Sequence, residues 1–111
     1  MEIKQLNAEY TYDFDNDIAN IQVKQDYNYK ESIDLDVGVF LDFDENDFPV
    51  NLEIISPSKR LDIDKSFLIK PNGNVNIVID SDLIELDITF IIENKNYSLQ
   101  YFNKHDENLK I

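Results

Sequence analysis

Ser32-Ile33-Asp34-Leu35-Asp36-Val37-Gly38-Val39-Phe40-Leu41-Asp42-Phe43-Asp44 decides the fold class. In an extended chain Ile33, Leu35, Val37, Val39, Leu41 and Phe43 point one way. Asp34, Asp36, Asp42 and Asp44 point the other, with Gly38 and Phe40 between them. A helix would scatter both sets around its circumference, whereas successive side chains of a strand alternate between faces. The stretch therefore reads as a strand with an acidic outer face. It is long for one strand, so Gly38 is expected to mark a bend or bulge.

The same alternation extends outward in both directions. Tyr10, Tyr12 and Phe14 form an apolar set, and Ala19, Ile21 and Val23 another, separated by Asp15-Asn16-Asp17, residue types that tolerate turn geometry. Val50, Leu52 and Ile54 follow. Phe67 and Ile69 run into Pro71-Asn72-Gly73-Asn74, where Asn-Gly predicts a hairpin before Val75, Ile77 and Ile79. Ser81-Asp82 breaks the pattern ahead of Ile84, Leu86, Ile88, Phe90 and Ile92. Asn94-Lys95-Asn96 then turns the chain into Tyr97, Leu99 and Tyr101. Ser56-Pro57-Ser58-Lys59-Arg60 is suited to one helical turn, with proline in its first position, or to a loop. The expectation is an all-β fold, an antiparallel sandwich or rolled sheet of about eight strands with little or no helix.

From Tyr12 to Arg60 the chain resembles a small prokaryotic family, domain of unknown function 2283. Tyr12-Asp13 and Asp17-Ile18-Ala19-Asn20-Ile21 match the first part of its pattern, a Tyr-Asp pair followed by an acidic residue that opens a strand. Asp42-Phe43-Asp44-Glu45-Asn46-Asp47 matches its acidic turn, and Asn51-Leu52-Glu53-Ile54-Ile55 the following strand. Ser56-Pro57-Ser58-Lys59-Arg60 stands where the family has an Ala-Ser-Lys segment. Asp47 and Asn51 replace two family glycines, so Asp47, with Asn46, is expected to carry left-handed backbone in the turn. The resemblance implies a β-rich fold and no activity. Because some members look like partners of toxin-type proteins, it also implies an antitoxin-like role. A single all-β domain is expected over 1–111, with a family-like part at about 8–60, a C-terminal β-hairpin extension at about 61–103 and a fraying tail at 104–111.

The chain has 111 residues, 23 acidic against 10 basic, and a formal net charge of -13. Nucleic-acid affinity rests on Lys and Arg neutralising phosphates, so no nucleic-acid partner is expected. Anionic membranes are disfavoured for the same reason, and a basic protein surface is favoured. No cysteine is present, which suits a reducing, cytoplasmic setting. No apolar run approaches the roughly 20 residues of a membrane span, and Met1-Glu-Ile-Lys-Gln lacks the apolar core of a secretory signal.

Catalytic chemistry finds few candidates. His105 is the only histidine and falls in the tail. No phosphate loop, nucleophile elbow or zinc-ligand pair occurs, so neither enzyme activity nor a cofactor is expected. A carboxylate-based hydrolase ranks last, because nothing selects two carboxylates from so many. Exposed tyrosines offer large contact area at low entropic cost, which nominates Tyr27 and Tyr29, with Asp34 and Asp36, as a binding surface. The alternative is a divalent-cation site. Asp42-x-Asp44-x-Asn46 with Glu53 fits a calcium loop except that Asp47 occupies the glycine position and the flanks alternate like strands. Asp13, Asp15 and Asp17 crowd a second turn, and the two turns share an ion if they lie at one end of the sheet. Phe40, Ile55, Leu83, Ile91 and Phe102 fall opposite their strands' main apolar sets, which suggests a homodimer interface or a second covered face.

Overall fold

The computed structural model describes residues 7–79 and 83–104. Eight strands lie in this range: β1 (Ala8–Asp13), β2 (Ile18–Val23), β3 (Tyr29–Asp36), β4 (Val39–Asp44), β5 (Pro49–Ile55), β6 (Asn72–Ile79), β7 (Leu83–Ile92) and β8 (Lys95–Lys104). A five-residue helix, α1 (Pro57–Leu61), and a 3-10 turn, Lys65–Leu68, stand between β5 and β6. The chain divides into two compact units, Met1–Pro57 and Ser58–Ile111.

The first unit is an antiparallel sheet in the order β1-β2-β5-β4-β3. Its register aligns Tyr12 with Ala19, Ala19 with Ile54 and Ile54 with Val39. The next inward row aligns Tyr10, Ile21, Leu52, Leu41 and Ile33. Residues directly opposite one another share a face, so these rows form one apolar surface, on which Ala19, Val39, Leu41, Leu52 and Ile54 are fully buried. Burying each large aliphatic side chain contributes about 1.5–3 kcal/mol, before the entropy of ordering it.

Three expectations for this sheet are corrected in the structure. The stretch Ser32–Asp44 is a hairpin, with its tip at Val37-Gly38 and Gly38 at φ 81. A bulge between Asp34 and Asp36 inserts one extra residue on β3. Both Leu35 and Val39 then face inward, so the period of two runs through the turn as if the strand had never ended. Val37 belongs to no apolar face, since it stands 88% exposed at the tip. Phe14 likewise leaves the inward set and lies exposed in the β1–β2 turn, its ring edge-on to Tyr12 at 6.4 Å.

The second unit is an antiparallel sheet in the order β6-β7-β8. The inward set of β7 is as expected, with Ile84, Leu86, Ile88, Phe90 and Ile92 all buried. No strand forms at Phe67 and Ile69. Asp64 caps a 3-10 turn there, its Oδ1 accepting the Ser66 N–H at 2.9 Å while its carbonyl accepts the Phe67 N–H at 3.1 Å. The Ser66 hydrogen bond holds the Asp64 carboxyl below its ordinary pKa. Nor does Asn72-Gly73 make a hairpin, because both residues lie inside β6 opposite Ile91 and Phe90. Glycine is needed there for close approach: a Cβ on Gly73 would sit 2.0 Å from the Thr89 carbonyl oxygen. The turn between β7 and β8 is Glu93-Asn94, with φ 50 and 66. That positive pair is the type I′ signature of a two-residue hairpin loop. The expected strand count survives because one unexpected hairpin offsets one missing strand.

Candidate functional site

The outer face of the five-stranded sheet is built from residues one step out of phase with the core. A single row crosses all five strands: Glu9 faces Gln22, Gln22 faces Asn51, Asn51 faces Asp42 and Asp42 faces Ser32. Every member is polar. The Asn51 side-chain amide donates to Asp42 Oδ2 at 3.0 Å, and Ser32 Oγ donates to Asp42 Oδ1 at 2.5 Å. From the neighbouring row, Asn20 Nδ2 reaches Asn51 Oδ1 at 3.4 Å. Asp42 is the hub, a half-buried carboxylate accepting from both sides.

Two tyrosines frame this row. Tyr29 OH and Ser32 Oγ are 2.8 Å apart at the β3 edge. On β2 the Gln22 Nε2 donates to Tyr27 OH at 2.7 Å. Tyr27 also lines a shallow groove with Glu9, Gln22, Lys24 and Asp26. Tyr27 and Tyr29 thus bond to different members of the row, Gln22 on β2 and Ser32 on β3. Asp34 lies on that face, opposite Phe40. Asp36 does not join the row, since its Oδ1 accepts the Val37 N–H at 2.8 Å beside the hairpin tip.

The carboxylates nominated for a cation are dispersed. Asp13 accepts from the backbone N–H and side-chain amide of Asn16, and Asp15 is exposed in the same turn. Asp17 is only 5% exposed and accepts the Tyr12 hydroxyl at 2.6 Å. Asp44 Oδ1 accepts the N–H groups of Asn46 and Phe48, closing the β4–β5 turn. Glu53 faces Asn20 and Phe40 on the outer face. The two acidic turns lie at opposite ends of the sheet, because Ile18 pairs with Ile55 whereas Phe43 pairs with Pro49. The shared ion is thus corrected on geometry. Among the described residues no three His, Cys, Asp or Glu side chains converge as metal ligands do. Asp47 carries the left-handed backbone, φ 64, that a replaced glycine requires; Asn46 does not.

Tyr10 and Tyr12, on the core face, titrate above their ordinary range. For both, burial is the first cause; the carboxylate of Asp17 adds to it through space at Tyr10 and through its hydrogen bond at Tyr12. Phe40 and Ile55 lie half-buried on the outer face. In the second unit Ile91 and Phe102 are exposed but do not form one patch. Phe102 faces Glu85 and Ile91 faces Asn96, three same-face steps away along β7. The Leu83 side chain, Ser81-Asp82, His105 and the tail after Lys104 lie outside the described residues. Among the described residues no helix is long and apolar enough to cross a membrane.

A family model described as "Protein of unknown function (DUF2283)" matches residues 9–58. The chain is also similar to "Uncharacterized protein MJ0789" of Methanocaldococcus jannaschii, 37% identical over 86 residues that cover 75% of this chain and 72% of the relative. The chain belongs to the DUF2283 family. No solved structure matches it. The DUF2283 segment runs from β1 into α1, so it contains every residue of the polar row and both framing tyrosines. The sequence points to Tyr27, Tyr29 and Asp34 as a binding surface and to Asp42 only as a cation ligand, but not to Glu9, Gln22, Ser32 or Asn51. The available signal was polar residues at the out-of-phase positions of four strands, which only the register brings into line.

Proposed function

We propose that this domain is a non-enzymatic protein-interaction module that offers the outer face of its five-stranded sheet to a basic partner protein. The observation that supports this reading best is the hydrogen-bonded row centred on Asp42 and framed by Tyr27 and Tyr29. Side chains already held by neighbours lose less rotamer freedom on binding, so less affinity is spent on ordering them. Tyrosines hydrogen-bonded to the row add rigid amphipathic area. The net charge of -13 steers basic surfaces toward it. A toxin-type partner, as the family resemblance implies, is the antitoxin-like form of this reading.

The test is affinity capture with the whole chain at low and moderate salt, beside the variants Asp42→Asn, Tyr29→Ala and Asp34→Lys. The expected result is a basic protein retained by the native chain, with binding weakened by each variant and by salt. Failure to retain any basic protein, or retention indifferent to all three variants, removes the proposal.

A further inference from the structure

Phe40 is out of place on the outer face. Its row reads Thr11, Asn20, Glu53, Phe40 and Asp34 across the five strands, so the one aromatic ring stands between two carboxylates. Asp42 is the next outward residue along β4. On the remaining side comes Gly38, which has no side chain, with the half-buried Ile55 across from it on β5, so that flank of the ring is apolar and the other three carry carboxylates. Directly opposed cross-strand Cβ atoms are about 4.5–5.5 Å apart, and outward neighbours on one strand about 6.6 Å. Three carboxylate-bearing positions thus flank a half-buried aromatic ring at distances a single side chain spans.

We infer that Phe40 is the floor of an arginine subsite, occupied by a guanidinium group of the partner protein. This rests on the interaction reading above and names its anchor. A cation over a ring face is attracted by the ring quadrupole within about 6 Å of the centroid. Guanidinium is planar, weakly hydrated and forked, so it stacks on the ring and reaches carboxylates at its edge; ammonium is a strongly hydrated point charge. Asp42 is already fixed by Ser32 and Asn51. Asp34 and Glu53 bring charge from the strands on either side. Charge complementarity therefore selects a cation, and the ring selects arginine over lysine.

The test is an amide-resolved NMR titration of the whole chain with a capped Gly-Arg-Gly peptide and its lysine and citrulline counterparts. The arginine peptide is expected to shift residues 34, 40 and 53 first, to bind about threefold more tightly than the lysine peptide, and to lose its effect when citrulline replaces arginine. Phe40→Leu is expected to weaken the arginine peptide about threefold to fivefold and to abolish its preference over lysine, with an unchanged circular-dichroism spectrum. Equal arginine and lysine shifts spread over all carboxylates, or indifference to Phe40→Leu, overturns the subsite. If Phe40→Leu still captures the basic partner at full strength, the subsite falls and the interaction reading stands. If the peptide titrates on Phe40 while the native chain retains no basic protein, the interaction reading falls alone.

Discussion

The hydroxyl of Tyr12 donates to the carboxylate of Asp17 at 2.6 Å across the β1–β2 turn. Asp17 is buried, sits at φ 54, and gives its carbonyl to the Ser56 N–H at 2.8 Å. One residue therefore closes a hairpin and pins the end of β5. Tyr12→Phe deletes a donor to a desolvated carboxylate and is expected to cost about 1–3 kcal/mol, read as a lower urea midpoint at unchanged slope.

The pH dependence follows from the raised values of Tyr10 and Tyr12. The fold favours their neutral form. This contribution is complete below the ordinary tyrosine value of about 10 and disappears as pH climbs through the raised folded values. Tyrosinate absorbance is expected to show these two ionising only together with alkaline unfolding. Independent early ionisation of all six tyrosines contradicts that.

Gly73→Ala forces a Cβ against the Thr89 carbonyl. Backbone cannot yield as a flexible side chain does, so β6 must separate from β7 locally. A loss of at least about 1–3 kcal/mol is expected, with amide protection falling on β6 before β8 in hydrogen exchange.

The hairpin tip gives an internal comparison. Gly38→Ala places a Cβ in left-handed backbone and is expected to cost about 1–2 kcal/mol. Val37→Ala, one residue away at an exposed site, is expected to change stability by less than about 0.5 kcal/mol. Thermal unfolding of the two variants side by side decides the point.

Glu93 occupies a position that a type I′ turn reserves for Asn, Asp or Gly. Glu93→Asn is expected to stabilise the chain by up to about 1 kcal/mol, roughly 4–8 °C in melting temperature if the unit unfolds with the whole chain.

Alternation exposed the core sets of β2, β5 and β7 because period two is a local property. It failed where two local effects cancelled: the bulge beside Leu35 preserves the phase across Val37-Gly38, leaving the turn without a break in the pattern. Asn72-Gly73 misled for a different reason, since the glycine answers a backbone twelve or more residues away at Thr89. Asp64 opens a 3-10 turn that takes in Phe67 and ends just before Ile69, where a strand was expected. For the polar face, residue types pointed to Tyr27, Tyr29 and Asp34. The row itself depends on which strand neighbours which, and β2 lies beside β5 rather than β3.

That strand order has a kinetic corollary. Every neighbour contact in the five-stranded sheet joins consecutive strands except the seam between β2 and β5, where Asn20 meets Glu53. The β1–β2 hairpin and the β3–β4–β5 meander close short loops, whereas the seam must close a long one at greater entropic cost. The seam should then be the late, rate-limiting event of folding. Substitutions at Ala19 or Ile54 would slow folding more than equally destabilising ones at the tips.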